Sequence, residues 1–175
     1  MSLNNIYPTA SDSFDLLPEE KVLTGPHDSE LEICVPPTLQ GPKQKARSKG
    51  RLWVTDQRVV FLENNLSVPN PGSSRQPPEY EATLSLRSLA IPYTVLIYSG
   101  FELPVFSQNY IAITFLPDPL DPNNNFPQLG RGSDITGTIW VGDGAGHGVW
   151  KRIEGERQLA EARRNAGEML PAYEA

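Results

Sequence analysis

The sequence predicts a mainly β domain of the α+β class: a strongly bent, mostly antiparallel sheet of about seven strands, capped by one C-terminal helix. Two observations support this prediction. Short segments with strand-like apolar patterns recur along the chain, separated by Pro- and Gly-rich connections. The one segment with a helical apolar stripe, 149–165, follows the last of them, so its stripe needs the apolar side of the sheet as a packing surface.

Strand signals begin with a hairpin. Segments 51–55 and 58–62 are rich in β-branched and aromatic residues and are joined by Asp56-Gln57, a tight connection. The second of them is apolar enough to be a central strand that is covered on both faces. The other predicted strands are 31–35, 80–86, 93–98, 109–116 and 135–141.

Length and composition predict one domain with long loops. The chain has 175 residues, of which 17 are proline. We expect a flexible arm at 1–20, a domain at 21–167 with inserted loops at 64–78 and 117–133, and an extended tail at 168–175.

Charge and cysteine usage exclude several classes. The net charge of −6 argues against nucleic-acid binding, which requires a basic face. The single cysteine, Cys34, excludes an internal disulfide and fits a reducing compartment. Neither a signal peptide nor an apolar run near the ~20 residues of a membrane helix is visible. We therefore expect a soluble protein of the cytoplasm, the nucleus or both, without a transmembrane segment.

Catalytic and metal-binding patterns are missing from the sequence. His27 and His147 are far apart, and no cluster of cysteines or acids has metal-ligand spacing. The Gly-x-Ser-x-Gly pattern of serine hydrolases does not occur. The expectation is a non-enzymatic protein that needs neither metal nor cofactor.

Several short motifs resemble a known family. The sequence KGRLWVT at 49–55 followed by RVVFL at 58–62 resembles the opening of a GRAM domain, a variant of the pleckstrin-homology (PH) fold. The motifs IPY at 91–93, LPVF at 103–106 and NYI at 109–111 resemble the GRAM domain of the WW-domain-binding protein 2 family. The resemblance covers roughly residues 22–165, most of the chain.

This resemblance implies a PH-like fold and a non-enzymatic adaptor that binds WW domains, including those of HECT-type ubiquitin ligases and transcriptional co-regulators. The loops at 64–78 and 117–133 are insertions relative to the family. The family's long tail with repeated proline–tyrosine motifs is absent here or is reduced to the final residues.

Two proline–tyrosine segments are the candidate WW-binding sites. Pro77-Pro78-Glu79-Tyr80 fits the Pro-Pro-x-Tyr pattern, in which consecutive prolines preset an extended helix that docks on aromatic grooves. Tyr80 can instead begin a strand, with the prolines as its breaker. Leu170-Pro171-Ala172-Tyr173 is the Leu-Pro-x-Tyr variant in the tail; the alternative is an ordinary frayed terminus.

A basic cluster is the candidate lipid site, and its members are Lys43, Lys45, Arg47, Lys49 and Arg51. It precedes the predicted hairpin, where PH folds often bind phosphoinositide head groups through a basic loop. The alternative interpretation is a solvated loop. A third functional class, an assembly chaperone of the chloride-conductance-regulator type, shares the PH-like fold and acidic character, but its usual long acidic tail is missing.

Overall fold

The computed structural model describes residues 2–6, 13–37, 41–64, 84–117, 125–126 and 133–168. These residues form eight strands followed by one helix. The elements are β1 (Ser2–Leu3), β2 (Val22–Val35), β3 (Gln44–Thr55), β4 (Arg58–Glu63), β5 (Ser88–Pro92), β6 (Leu96–Glu102), β7 (Tyr110–Phe115), β8 (Ile135–Val141) and α1 (Gly146–Glu168). The predicted fold class, a curled antiparallel sheet with one C-terminal helix, is confirmed.

The strands form a single sheet in the order β1-β5-β4-β3-β2-β8-β7-β6. Strand β2 joins its two halves, because it pairs with β3 along its length and with β8 over residues 29–34. β5 and β6 follow each other in sequence but lie in opposite halves of the sheet. The chain therefore curls the sheet around an interior, and β1 and β6 are its edges.

The apolar interior is lined by every strand and by the helix. The turn at 142–145 leads directly from β8 into α1, and the helix returns over the sheet. Gly142 N at the start of this turn donates a hydrogen bond to Asp28 O of β2 at 2.8 Å. Val149 and Ile153 of α1 are buried in this core. The helical stripe thus packs where the sequence places it, against the concave side of the sheet.

The described residues of the N-terminal segment between β1 and β2, 4–6 and 13–21, form a second layer over the opposite face of β3, β4 and β5. Its residues Ile6 and Phe14 form an apolar cluster with Trp53, Val60, Leu62 and Ala90. Strand β4 is consequently buried on both faces, as its apolar sequence predicts.

A buried ion pair fixes the end of this segment. Arg58 donates from Nε to Glu20 Oε1 and from Nη2 to Glu20 Oε2, both at 2.8 Å. Burial by itself would raise the pKa of Glu20, but the hydrogen bonds from Arg58, the Leu17 amide and Thr55 together lower it below its usual value. The carboxylate is therefore held in its charged form.

Three sequence-based expectations differ from the structure. Residues 2–6 and 13–20 of the expected flexible arm pack on the sheet, because Ile6 and Phe14 cover apolar side chains that would otherwise face water. In the predicted strand 80–86, residues 84–86 are irregular, and the strand begins at Ser88. The predicted strand 93–98 begins at Leu96 because residues 93–95 form a turn.

Candidate interaction surfaces

The basic cluster lies on a strand rather than in a loop, which corrects the sequence interpretation. Only Lys43 precedes β3; the other four alternate along its outer face with inward-facing Ala46, Ser48, Gly50 and Leu52. Antiparallel pairing sets this face beside β2, where Asp28, Glu30 and Glu32 also face outward. Four of the five cations are thus spread along a strand next to carboxylates.

Two of these cations form ion pairs with β2. Lys45 Nζ donates to Glu32 Oε1 at 3.0 Å, and Arg47 Nε donates to Glu30 Oε1 at 2.8 Å. The hydrogen bond from Arg47 lowers the pKa of Glu30, an effect that the small burial of this carboxyl opposes. A phosphate group that approached this face would have to compete with both carboxylates.

An aromatic side chain extends the same face. The guanidinium carbon of Arg47 lies 4.6 Å from the ring centroid of Trp140 on β8, and that ring lies 6.2 Å from the ring of Tyr110 on β7. Arg47 is therefore held between a carboxylate and an aromatic ring. The basic residues of β3 therefore lie in a row along the strand, beside the carboxylates of β2 and the ring of Trp140.

The two proline–tyrosine segments lie outside the described residues. These comprise Pro77, Pro78 and Tyr80, and Leu170, Pro171 and Tyr173. The structure does fix the points from which they depart. The first lies in the connection between β4 and β5, and the second begins two residues after α1 ends at Glu168.

An exposed apolar segment is the feature that sequence reasoning missed. The motif LPVF at 103–106 entered the sequence analysis only through the family resemblance, whereas in the structure Val105 is 86% exposed and Phe106 is 100% exposed. These residues connect β6 to β7. An apolar run next to strand signals resembles a buried segment, so its exposure to water could not be predicted from the residue pattern.

The described residues contain no group of three or more His, Cys, Asp or Glu side chains arranged to hold a metal ion. The two histidines have other contacts. His27 Nε2 lies 2.7 Å from Thr24 Oγ1, and the ring of His147 packs against Phe101 and Trp150. Among the described helices, none is long and apolar enough to cross a membrane.

A comparison with solved structures places the fold. The chain is similar to a structure described as the Vps36 N-terminal PH domain, with a TM-score of 0.58 and 14% sequence identity over 92% of this chain and 96% of that chain. Neither the family models nor the curated proteins that were compared with the chain gave a match. At this identity the similarity shows the fold alone, and that fold is PH-like.

Proposed function

We propose that this chain is a non-enzymatic adaptor whose PH-like domain presents proline–tyrosine segments to WW-domain proteins, such as a HECT-type ubiquitin ligase or a transcriptional co-regulator. The observation that supports the proposal best is the position of Pro77-Pro78-Glu79-Tyr80 between two strands that are paired neighbours.

The connection that carries this segment is far longer than the fold requires. Leu62 of β4 pairs with Ser88 of β5, so the chain leaves and re-enters the sheet at the same place. An antiparallel pair can be closed by about two residues, whereas residues 64–87 make this connection. Long connections in compact domains commonly carry function.

Both ends of the connection are held firmly. Asn64 N donates to Lys49 O at 3.1 Å, and Glu63 N donates to Arg87 O at 2.8 Å. The side chain of Asn4 donates to Ser85 O at 2.6 Å and accepts from Arg87 N at 2.7 Å. The connection that contains the docking peptide is thus fixed to the sheet at both of its ends, so a WW domain bound to it would stay close to the PH-like domain.

The two other functional classes receive less support. The ion pairs of Lys45 and Arg47 with β2 weigh against phosphoinositide binding by the basic cluster of β3. An assembly chaperone of the chloride-conductance-regulator type would also have the PH-like fold, but no contact among the described residues favours this function over the other two.

The test is titration of the full chain with a purified type-I WW domain by calorimetry. We expect a dissociation constant in the micromolar range, about −7 kcal/mol. Tyr80→Ala and Tyr173→Ala each remove the residue that fills the tyrosine pocket, so the site in use loses affinity by at least about tenfold. The double variant shows no binding.

A matched control is Tyr98→Ala, which removes a half-exposed tyrosine of β6 that lies outside any proline motif. It is expected to bind like the wild type. If the wild type does not bind well above micromolar concentrations, or the double variant binds as tightly as the wild type, the WW-binding proposal is wrong.

A further inference from the structure

Exposed apolar side chains concentrate along one edge of the sheet. Among the described residues, the large apolar side chains that face solvent on or next to β6 and β7 are Ile97, Tyr98, Leu103, Val105, Phe106 and Leu116. Exposed large apolar side chains that lie close together in one region of the fold can mark an interaction site. We call the stretch 97–106 the apolar edge.

The backbone of the same segment is open to pairing. In the described part of the chain β6 pairs with β7 and with no other strand, so alternate backbone groups on its other side point away from the sheet. Arg157 Nη1 of α1 reaches Ile97 O at 3.4 Å, which marks where the helix approaches this edge. Within residues 98–102 the helix contact is made by a side chain, since Ser99 Oγ donates to Glu154 Oε2 at 2.6 Å. The outward backbone groups of 98–102 are the stretch that we assign to another strand.

We propose that the apolar edge binds a second copy of this chain, through antiparallel pairing of the two β6 strands about a two-fold axis. The distribution of the apolar residues leads to this occupant. Ile97 lies near the start of β6 and Leu103 just after its end. Antiparallel pairing of identical strands brings the start of one against the end of the other, so the edge is complementary to itself.

The pairing register follows from the length of the open stretch. Using all of residues 98–102 in both copies places the axis at Gly100, which sets Ile97 opposite Leu103 of the other copy. Glu102, the single charged side chain of β6, then lies opposite Tyr98 and not opposite another carboxylate. The like-charge contact that destabilises many strand pairs is thereby avoided.

The exposed connection fits the same arrangement. Val105 and Phe106 continue past the end of β6, toward the place where the other copy turns from β5 into β6. In that copy Leu116 is exposed and its amide donates to Val95 O at 3.0 Å. Each copy thus offers an apolar surface at the turn and an apolar connection to cover it.

A membrane is a poorer occupant of this edge. Anionic bilayers attract lysine and arginine, but residues 96–109 contain neither and include Glu102. The chain as a whole carries a net charge of −6. The chemistry therefore favours an uncharged apolar partner surface, which a second copy supplies.

Sedimentation velocity of the full chain over a concentration series is the first test. We expect a species of twice the 19.4 kDa chain mass to be the main species at a chain concentration of about 100 µM, and we expect its fraction to decrease on dilution. A monomer at every concentration would overturn the proposal. The measurement contains no WW domain, so its result is independent of the adaptor proposal.

Charge placed on the apolar edge tests where the copies meet. Phe106→Glu changes a side chain that is fully exposed, so the fold has no contact to lose, and Ile97→Glu puts a carboxylate within the strand. Both are expected to weaken dimerisation by at least about tenfold. Val22→Glu is the matched control, because Val22 is 44% exposed and Ile97 is 45% exposed. Dimers that survive both edge variants would place the interface elsewhere and contradict the proposal.

Cross-linking tests the register, in a Cys34→Ser background that removes the native thiol. A mixture of Ile97→Cys and Leu103→Cys chains should be joined by a bis-maleimide of about 8 Å reach, whereas Ile97→Cys alone should not, because six residues of strand separate the two thiols by about 20 Å. Efficient cross-linking of Ile97→Cys alone would refute this register.

Vesicle sedimentation tests whether a membrane occupies the apolar edge instead of a second copy. If the wild-type chain is monomeric and sediments with phosphatidylcholine vesicles, and Phe106→Glu does not, the apolar edge is a membrane contact and the dimer proposal is wrong.

Discussion

At the scale of single residues, Glu154 shows how the helix is fastened to the edge of the sheet. Its carboxylate accepts hydrogen bonds from Arg157 Nη2 at 2.7 Å and from Ser99 Oγ of β6 at 2.6 Å. The hydrogen bonds from Arg157 are the largest influence on its pKa, burial opposes them, and Ser99 and Gln158 add to them. The pKa of Glu154 is lowered to about 2.

This shift predicts an acid-sensitive contribution to stability. Because the pKa is lower in the folded chain than the ordinary 4.5, the carboxylate stabilises the fold fully above that ordinary value and loses its contribution as the pH falls toward 2. We expect wild type to lose on the order of 2 kcal/mol more than Glu154→Gln over this interval. Urea unfolding of both proteins between pH 6 and about pH 2.5 measures the difference; parallel losses in the two proteins would contradict it.

The ion pairs of β3 were harder to predict than the positions of its charged residues. The sequence shows the alternating cations of β3, but their partners Glu32 and Glu30 lie 13 and 17 positions away in the chain. Which carboxylate meets which cation depends on the β2–β3 register. That register is fixed by packing across the whole sheet. The basic run alone therefore predicts a phosphate site, but the neighbouring carboxylates of β2 oppose the binding of phosphate there.

At the scale of elements, the segment before β2 acts as a cover for the outer face of the sheet. Phe14 is 4% exposed and its ring meets Trp53 edge-on with centroids 5.5 Å apart. The guanidinium carbon of Arg58 lies 5.6 Å from the centroid of the Phe14 ring. One side chain thus joins the N-terminal segment to both β3 and β4.

Phe14→Ala should therefore destabilise the domain strongly. The substitution removes a buried ring and opens a cavity over Trp53, a type of change that costs about 3 kcal/mol. Leu16→Ala is the matched control, since Leu16 is half exposed, and it should change stability by less than about 0.5 kcal/mol. Chemical denaturation followed by fluorescence compares the three proteins. Equal stability of the wild type and Phe14→Ala would mean that the segment does not depend on this contact.

Elements with apolar inward faces were predicted well, and elements with small inward residues were missed. Strand β8 has the predicted bounds, because the inward residues at its two ends, Ile135 and Val141, are bulky and apolar. The first half of β3 places Ala46, Ser48 and Gly50 inward, so its period of two carries almost no apolar contrast. Gly50 is needed there, since a Cβ at this position would overlap the carbonyl oxygen of Leu62 on β4.

At the scale of the whole molecule, the order of elements was sufficient to predict a bent antiparallel sheet capped by one helix, and the resemblance to GRAM domains predicted that this fold is PH-like. A series of short strands followed by one amphipathic helix has few ways to bury the helical stripe, and the predicted one is confirmed. The candidate sites were less accessible to this reasoning. The proline–tyrosine segments follow from local sequence alone and stay predictions, whereas the apolar edge depends on solvent exposure, which only the assembled sheet defines.

The continuity of the core predicts that the domain unfolds as one unit. A single apolar cluster contains side chains from every strand and from α1, so no element can leave without exposing part of the same core. The three tryptophans report on separate parts of the molecule: Trp53 on β3, Trp140 on β8 and Trp150 on α1. Variants that keep one tryptophan each, with phenylalanine at the other two positions, allow each part to be observed alone. Within each variant, we expect the fluorescence midpoint to coincide with the midpoint from far-ultraviolet circular dichroism during thermal unfolding. A lower fluorescence midpoint in the variant that keeps only Trp150 would show instead that the helix detaches first and that the curled sheet is stable without it.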